Sequence, residues 1–245
     1  MNPTIPKAAF DFLLKLKKNN NREWMQEHKK EYLANEKALK NFYAAVEKGL
    51  NVTDEIANVK IFRINRDIRF SNYKTPYNVH RSASFSRAGA QRRGGYYLRL
   101  ESKNSYMAGG FFDPNPSDLL RIRKEFEMDS SEIRDILKQK DFKKAFGNFN
   151  QEYAVKTAPK GFNKEDENID LIKLKSFFVN HRFTDEEVFA ADFKENLMYH
   201  YQLLRPFFNY MSDVLTTDLN GVSLLNNFIV LLKIKRAFIS KALLA

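Results

Sequence analysis

Apolar residues recur every three to four positions near both ends of the chain and every second position in its middle. In "PKAAFDFLLKLKK", Phe10, Leu13 and Leu14 fall on one helical face behind Pro6 in a first turn, so a short helix ends near Asn19–Asn21. Asn20 and Glu23 then fit a capping box, and Met25, His28, Tyr32, Leu39, Phe42, Val46 and Leu50 line one face of a long helix ending at Gly49. Beyond it the period shortens to two. "VKIFRI", "RSASFSR", "YYLRLE" and the start of "SYMAGGFF" read as four successive strands.

Helical spacing returns at "PNPSDLLRIRKEF", with Asn115 as cap and Pro116 at the first helical position, and continues through "SSEIRDILKQKDFKKAF". Residues 147–168 read as loop, "LIKLKSFFVNHRF" as extended at its centre, and Thr184 with Glu187 as a second capping box. From Asp192, the residues Leu197, Tyr201, Leu204, Phe208, Met211 and Leu215 alternate steps of four and three, the seam of a packed helix that Pro206 kinks. Five of the nine glycines lie between residues 89 and 110, where they supply a hairpin turn and a bulge. The expectation is an α+β fold: one compact domain over residues 1–217, an antiparallel meander packed against several helices, and a helical extension over 218–245.

The chain has no cysteine, which excludes thiolate nucleophiles, disulfides and cysteine zinc sites. Its opening residues lack the pattern of a secretory signal, and its most apolar window, residues 221–245, is interrupted by Asn226, Asn227, Lys233, Lys235 and Arg236. A cytoplasmic protein without a transmembrane segment is expected. The net charge of +11 is concentrated: residues 60–103 hold eleven Lys and Arg against Asp67 and Glu101, while the remainder holds 30 basic and 28 acidic residues. Such a concentration draws phosphates, carboxylates or nucleic acid.

The stretch "FRINRDIRFSNYKTPY" places Arg63, Arg66, Arg69 and Lys74 around a single acid, Asp67. Guanidinium is planar and grips two oxygens of one anion, so this run is a candidate anion site, provided the strand ends near Asn65 and the chain curls back. Asp67 is either the brace of the arginines or a metal ligand or general base. Tyr77 and His80 are the further proton-transfer candidates, His80 as a neutral imidazole among cations. The four histidines are scattered, with no local metal-binding spacing, so no metal site or cofactor is assigned.

The motif Arg63-x-x-Arg66-Asp67-x-Arg69-Phe70-x-x-x-Lys74-x-x-Tyr77 is preceded by "NNNREWMQEHKKEY". After it come "AGGFFDPNPSDLLRIR", "TAPKGF", "LKSFFVNHRFTDEEV" and "LLRPFFNYM". Together these resemble the bacterial family called domain of unknown function 2461, over about residues 8 to 217. The resemblance implies a shared fold unit and assigns no reaction. Members often carry Asp or Asn where this chain has Tyr73, which argues against a mechanism needing a second carboxylate there.

Two functional readings follow. In the first, an enzyme or binding protein holds a phosphorylated small molecule or nucleotide on Arg63, Arg66, Arg69 and Lys74, with Asp67 orienting them and Tyr77 or His80 exchanging a proton. In the second, Arg81, Arg87, Arg92, Arg93 and Arg99 track a nucleic-acid backbone while Tyr73, Phe85, Tyr96 and Tyr97 stack on bases. The sequence leaves the oligomeric state open.

Overall fold

The computed structural model describes residues 3–225. Most of the predicted helical extension, residues 226–245, lies outside them. Helices α1 (Lys7–Lys18), α2 (Arg22–Glu27) and α3 (Lys29–Leu50) precede the strands β1 (Ile56–Ile61), β2 (Arg81–Arg87), β3 (Gly95–Leu100) and β4 (Ser105–Phe111). Helices α4 (Pro116–Met128), α5 (Ser131–Lys138), α6 (Lys140–Phe146) and α7 (Ile169–Ile172) lead to β5 (Phe177–Phe183). Then come α8 (Asp185–Phe189), α9 (Phe193–Leu203) and α10 (Arg205–Thr216). The five strands form one antiparallel sheet in the order β1-β2-β3-β4-β5, so the α+β meander is as the alternation predicted.

Three helix boundaries differ from the sequence reading. The long helix breaks at His28, whose backbone leaves the helical region, and this lets Trp24 on α2 and Tyr32 on α3 both pack on Phe12. The cap of α2 is Asn21, which accepts from the Trp24 N–H, and not Asn20. Asn20 is released to clamp the backbone of Tyr77, accepting from its N–H and donating to its carbonyl. Pro206 sits in the first turn of α10, so the last seam is carried by two helices meeting at Leu204, where proline lacks the donor to continue α9. The capping boundaries at Asn115 and Thr184 are as expected.

Phe85, Leu98, Met107, Phe177 and Val179 on one face of the sheet are fully buried beneath α3, α9 and α10. All six seam residues of α9 and α10 are buried with them. At Gly109 a Cβ would lie 2.2 Å from Leu204 Cδ1, so this glycine is what allows the α9–α10 junction to rest on β4. Among the described residues, no helix layer covers the opposite face of the sheet. Among the described residues, no helix is long and apolar enough to cross a membrane.

Much of the basic segment is neutralised by carboxylates that the fold brings to it. Arg81 makes a two-pronged pair with Glu36 of α3 at 2.7 and 2.8 Å, both side chains buried. Asp54, wholly buried in the turn after α3, accepts from Arg87 Nε at 2.7 Å and from the Tyr96 hydroxyl at 2.6 Å, and is paired with Arg205. Arg92 pairs with Glu55, Arg93 with Asp118, and Arg99 with Glu101. Burial pushes the Asp54 carboxyl upward, but the hydrogen bonds from Tyr96, Arg205 and Arg87 outweigh it and hold the group at about 2. Its folded value lies below its unfolded one, so this contribution is complete above about pH 4 and disappears as pH falls through about 2.

Removing one partner of such a pair leaves a buried, uncompensated charge. Arg87→Ala is therefore expected to cost about 3–5 kcal/mol in equilibrium urea unfolding. Arg69→Ala, whose pair with Asp67 is exposed, should leave the midpoint unchanged.

Candidate functional site

The chain leaves β1 at Ile61 and returns to the sheet at Arg81, and the intervening loop is closed by its own backbone. Arg66 N–H donates to the Pro76 carbonyl at 2.9 Å, Asn78 N–H to the Ile64 carbonyl at 2.7 Å, and Asn65 and Tyr77 form an isolated bridge. The turn back after Asn65 is thus present, and it sets the fate of each motif side chain.

Arg66 points inward across the loop, donating to the carbonyl of Thr75 at 3.2 Å and to its hydroxyl. Lys74 reaches back to the Ile68 carbonyl at 3.1 Å. Arg69 forms a two-pronged pair with Asp67 at 3.0 and 2.6 Å, which holds that carboxyl below the usual range. The Arg63 guanidinium makes no hydrogen bond or ion pair among the described residues. Phe70 and Tyr73 project from the loop into solvent.

Beside this loop lies a recess of about 370 Å³ lined by Arg63, Arg66, Asp67, Asn78, His80 and Tyr97, among others. Of the four expected anion ligands, Arg63 and Arg66 line it, whereas Arg69 and Lys74 do not. Asp67 is at the recess with Arg69 as its brace, which is the arrangement the counter-ion reading anticipates. His80 is also at the recess. Burial, reinforced by Arg99, drives its imidazole down to about 4, so it is neutral at pH 7. Tyr77 does not line the recess: its ring packs against the small core of Phe12, Leu13, Leu16, Met25 and Ile64.

The recess opens onto the helix-free face of the sheet. Directly opposed residues of antiparallel strands share a face, so the register defines rows across it. One row runs Ser82, Arg99, Tyr106, Arg182; the next runs Lys60, Ser84, Tyr97, Ala108, Asn180; a third runs Ser86, Gly95, Gly110, Phe178. Ser84, Ser86, Gly95, Ala108 and Gly110 form a low floor between taller side chains, and the result is a groove of about 950 Å³. Gly110 is required there: its φ is +146°, and a Cβ would lie 2.3 Å from the Phe177 carbonyl oxygen. Phe62 and Tyr97 belong to both groove and recess, so the two are continuous.

This face holds residues that the sequence reading passed over, namely Tyr106, Arg182, Phe178 and Asn180. Their signal was present as the polar phase of the alternation in "SYMAGGF" and "FFVNHRF". Conversely, Phe85 and Tyr96, expected to stack on bases, are in the core, and Arg81 and Arg87 are buried in ion pairs. Arg92, Arg93 and Arg99 are also paired, and Tyr97 and Arg99 are the residues of that second set that the strand register places on the open face. His181 on β5 and His200 on α9 meet with ring centroids 3.9 Å apart and planes tilted by 30°, each Nδ1 hydrogen-bonded to a helix carbonyl. Among the described residues, no three His, Asp or Glu side chains are grouped so as to hold a metal ion.

The sequence profile of a family described as conserved hypothetical protein (DUF2461) matches residues 8–210. The chain belongs to that family. No curated protein and no solved structure matches it. In this DUF2461 chain the matched span takes in the loop, the recess and all five strands, so the site described here lies wholly within the family's unit.

The depressed value of His80 carries a sign. Between about pH 4 and 6.5 the unfolded chain takes up a proton that the folded chain refuses, so stability rises with pH across that window and is complete above 6.5. His80→Gln should flatten that part of the pH–stability curve. The His80 ring resonances should show no titration step between pH 5.5 and 8 by NMR.

Proposed function

We propose that this DUF2461 protein binds a phosphorylated or otherwise anionic small molecule, with the anionic group in the recess and the body of the ligand on the aromatic groove. A nucleotide is the class that fits best, because it joins a phosphate to a flat ring. The observation that carries this reading is the continuity of recess and groove through Phe62 and Tyr97, beside Arg63, whose guanidinium has no hydrogen bond or ion pair among the described residues.

Further support comes from which cations the fold leaves unpaired. Among the described residues, six of the eleven basic residues in 60–103 are in ion pairs, and Lys60, Arg63, Arg66, Lys74 and Lys103 have no ion-pair partner. Three of these five cluster at the β1 edge by the recess. Arg63 would meet the anion directly, and Arg66 would offer the donors that Thr75 leaves free. Braced by Arg69, Asp67 repels an incoming anion less than a free carboxylate would. A chemical step is not required by this reading; were one to occur, the neutral His80 is the proton acceptor at the recess.

A thermal-shift screen of nucleoside phosphates and sugar phosphates tests the proposal. A ligand at 100 times its Kd adds about 2.7 kcal/mol of stability. That shift should vanish in Arg63→Ala and persist in Arg69→Ala. If no anionic ligand raises the midpoint, or if the shift is indifferent to Arg63→Ala, the recess is not the site.

A further inference from the structure

Resting on the reading of the recess as a nucleotide phosphate site, we infer that the nucleotide held there is one unit of a single-stranded nucleic acid lying across the strands, with the recess holding one of its phosphates.

Cations stand at both edges of the open face. Lys60, Arg63 and Arg66 stand at the β1 side of the open face, and Arg182 stands on β5 at the opposite edge with no carboxylate partner among the described residues. Four interstrand steps of about 4.8 Å separate β1 from β5, so the two groups of cations are roughly 19 Å apart. One small anion cannot meet both. A polymer with a phosphate at every unit can.

Aromatic rings stand between them. Phe62 meets Tyr97 at 6.2 Å between centroids, and Tyr97 meets Tyr106 at 5.8 Å, rising from the floor of small residues. Partly exposed rings in series offer stacking surfaces to successive bases, each worth about 1–3 kcal/mol. Arg99, paired with Glu101, and Arg182 flank the Tyr106 ring at 5.9 and 6.0 Å, so Arg182 brings guanidinium charge to that end of the aromatic surface. Asn104 accepts from Arg182 and orients it without neutralising it. At the β5 end, Phe112, Tyr153 and Phe178 meet edge-on or tilted within 5.8 Å and close the groove with an apolar wall.

The acids in the groove do not oppose this path. Asp118 is neutralised by Arg93, and Glu152 lies beside the aromatic wall, where a base and not a phosphate would sit. A duplex is disfavoured because its base faces are hidden from these rings. Lys60, Arg63, Arg66 and Arg99 belong to the basic run in the sequence and Arg182 lies outside it, while Arg81, Arg87, Arg92 and Arg93 of that run are engaged in ion pairs.

The test is fluorescence anisotropy with 5′-labelled hexamers of deoxythymidine and of uridine, with thymidine monophosphate and a duplex as competitors, on the wild type and on Arg182→Ala. At least one hexamer should bind tenfold or more tighter than the mononucleotide, whichever sugar is preferred. With three or four phosphates engaged, log affinity should fall against log salt with a slope of about −2 to −3. Arg182→Ala, an exposed change, should weaken the hexamer about tenfold and leave the mononucleotide unaffected. Hexamers no tighter than the mononucleotide, or a duplex that competes as well as the single strand, would overturn the inference while the recess reading stands. Should mononucleotide and hexamers both fail to bind, both readings fall together.

Discussion

A carboxylate removed from water stays ionised only if donors surround it, and Asp54 is surrounded by Arg87, Arg205 and the Tyr96 hydroxyl. These partners come from β2, β3 and α10, so one buried charge ties the turn after α3 to the sheet and to the last described helix. The Arg81–Glu36 pair does the same between β2 and the middle of α3. Together they fix the helix layer on one face of the meander. They also decide which arginines remain for a ligand, because a guanidinium held by two carboxylate oxygens in the interior is not available to an outside anion.

The fold was largely legible because its two periodicities are clean. The α9–α10 seam and the alternation of β2 to β5 both became buried faces. What was not legible was local: a continuous apolar stripe through His28 gives no sign that the helix breaks there, since the break is set by Phe12 packing from another helix. Asn20 and Asn21 are equivalent as caps on sequence grounds. Only the position of Tyr77, 57 residues away from Asn20, separates their roles.

The site was legible in part for a related reason. A run of arginines records charge but not partners, and ion pairing in folded chains is mostly non-local. Glu36, Asp54 and Asp118 lie outside the basic segment yet neutralise Arg81, Arg87 and Arg93. Of the motif side chains, Arg66 and Lys74 chiefly hold the loop in shape, and Arg69 braces Asp67. Arg63 and His80 keep their candidate roles at the recess. The small residues at Ser84, Gly95, Ala108 and Gly110 read as β-sheet punctuation in sequence, but aligned by register they are the floor of the groove.

The central claim is that the fold sorts its arginines into an internal set and a ligand-facing set. Following the arginine Nε–Hε resonances during a nucleotide titration by NMR tests it most directly. The account predicts that the Arg63 signal shifts while those of Arg81 and Arg87 stay in place. Movement of Arg81 and Arg87 with Arg63 unmoved would contradict it.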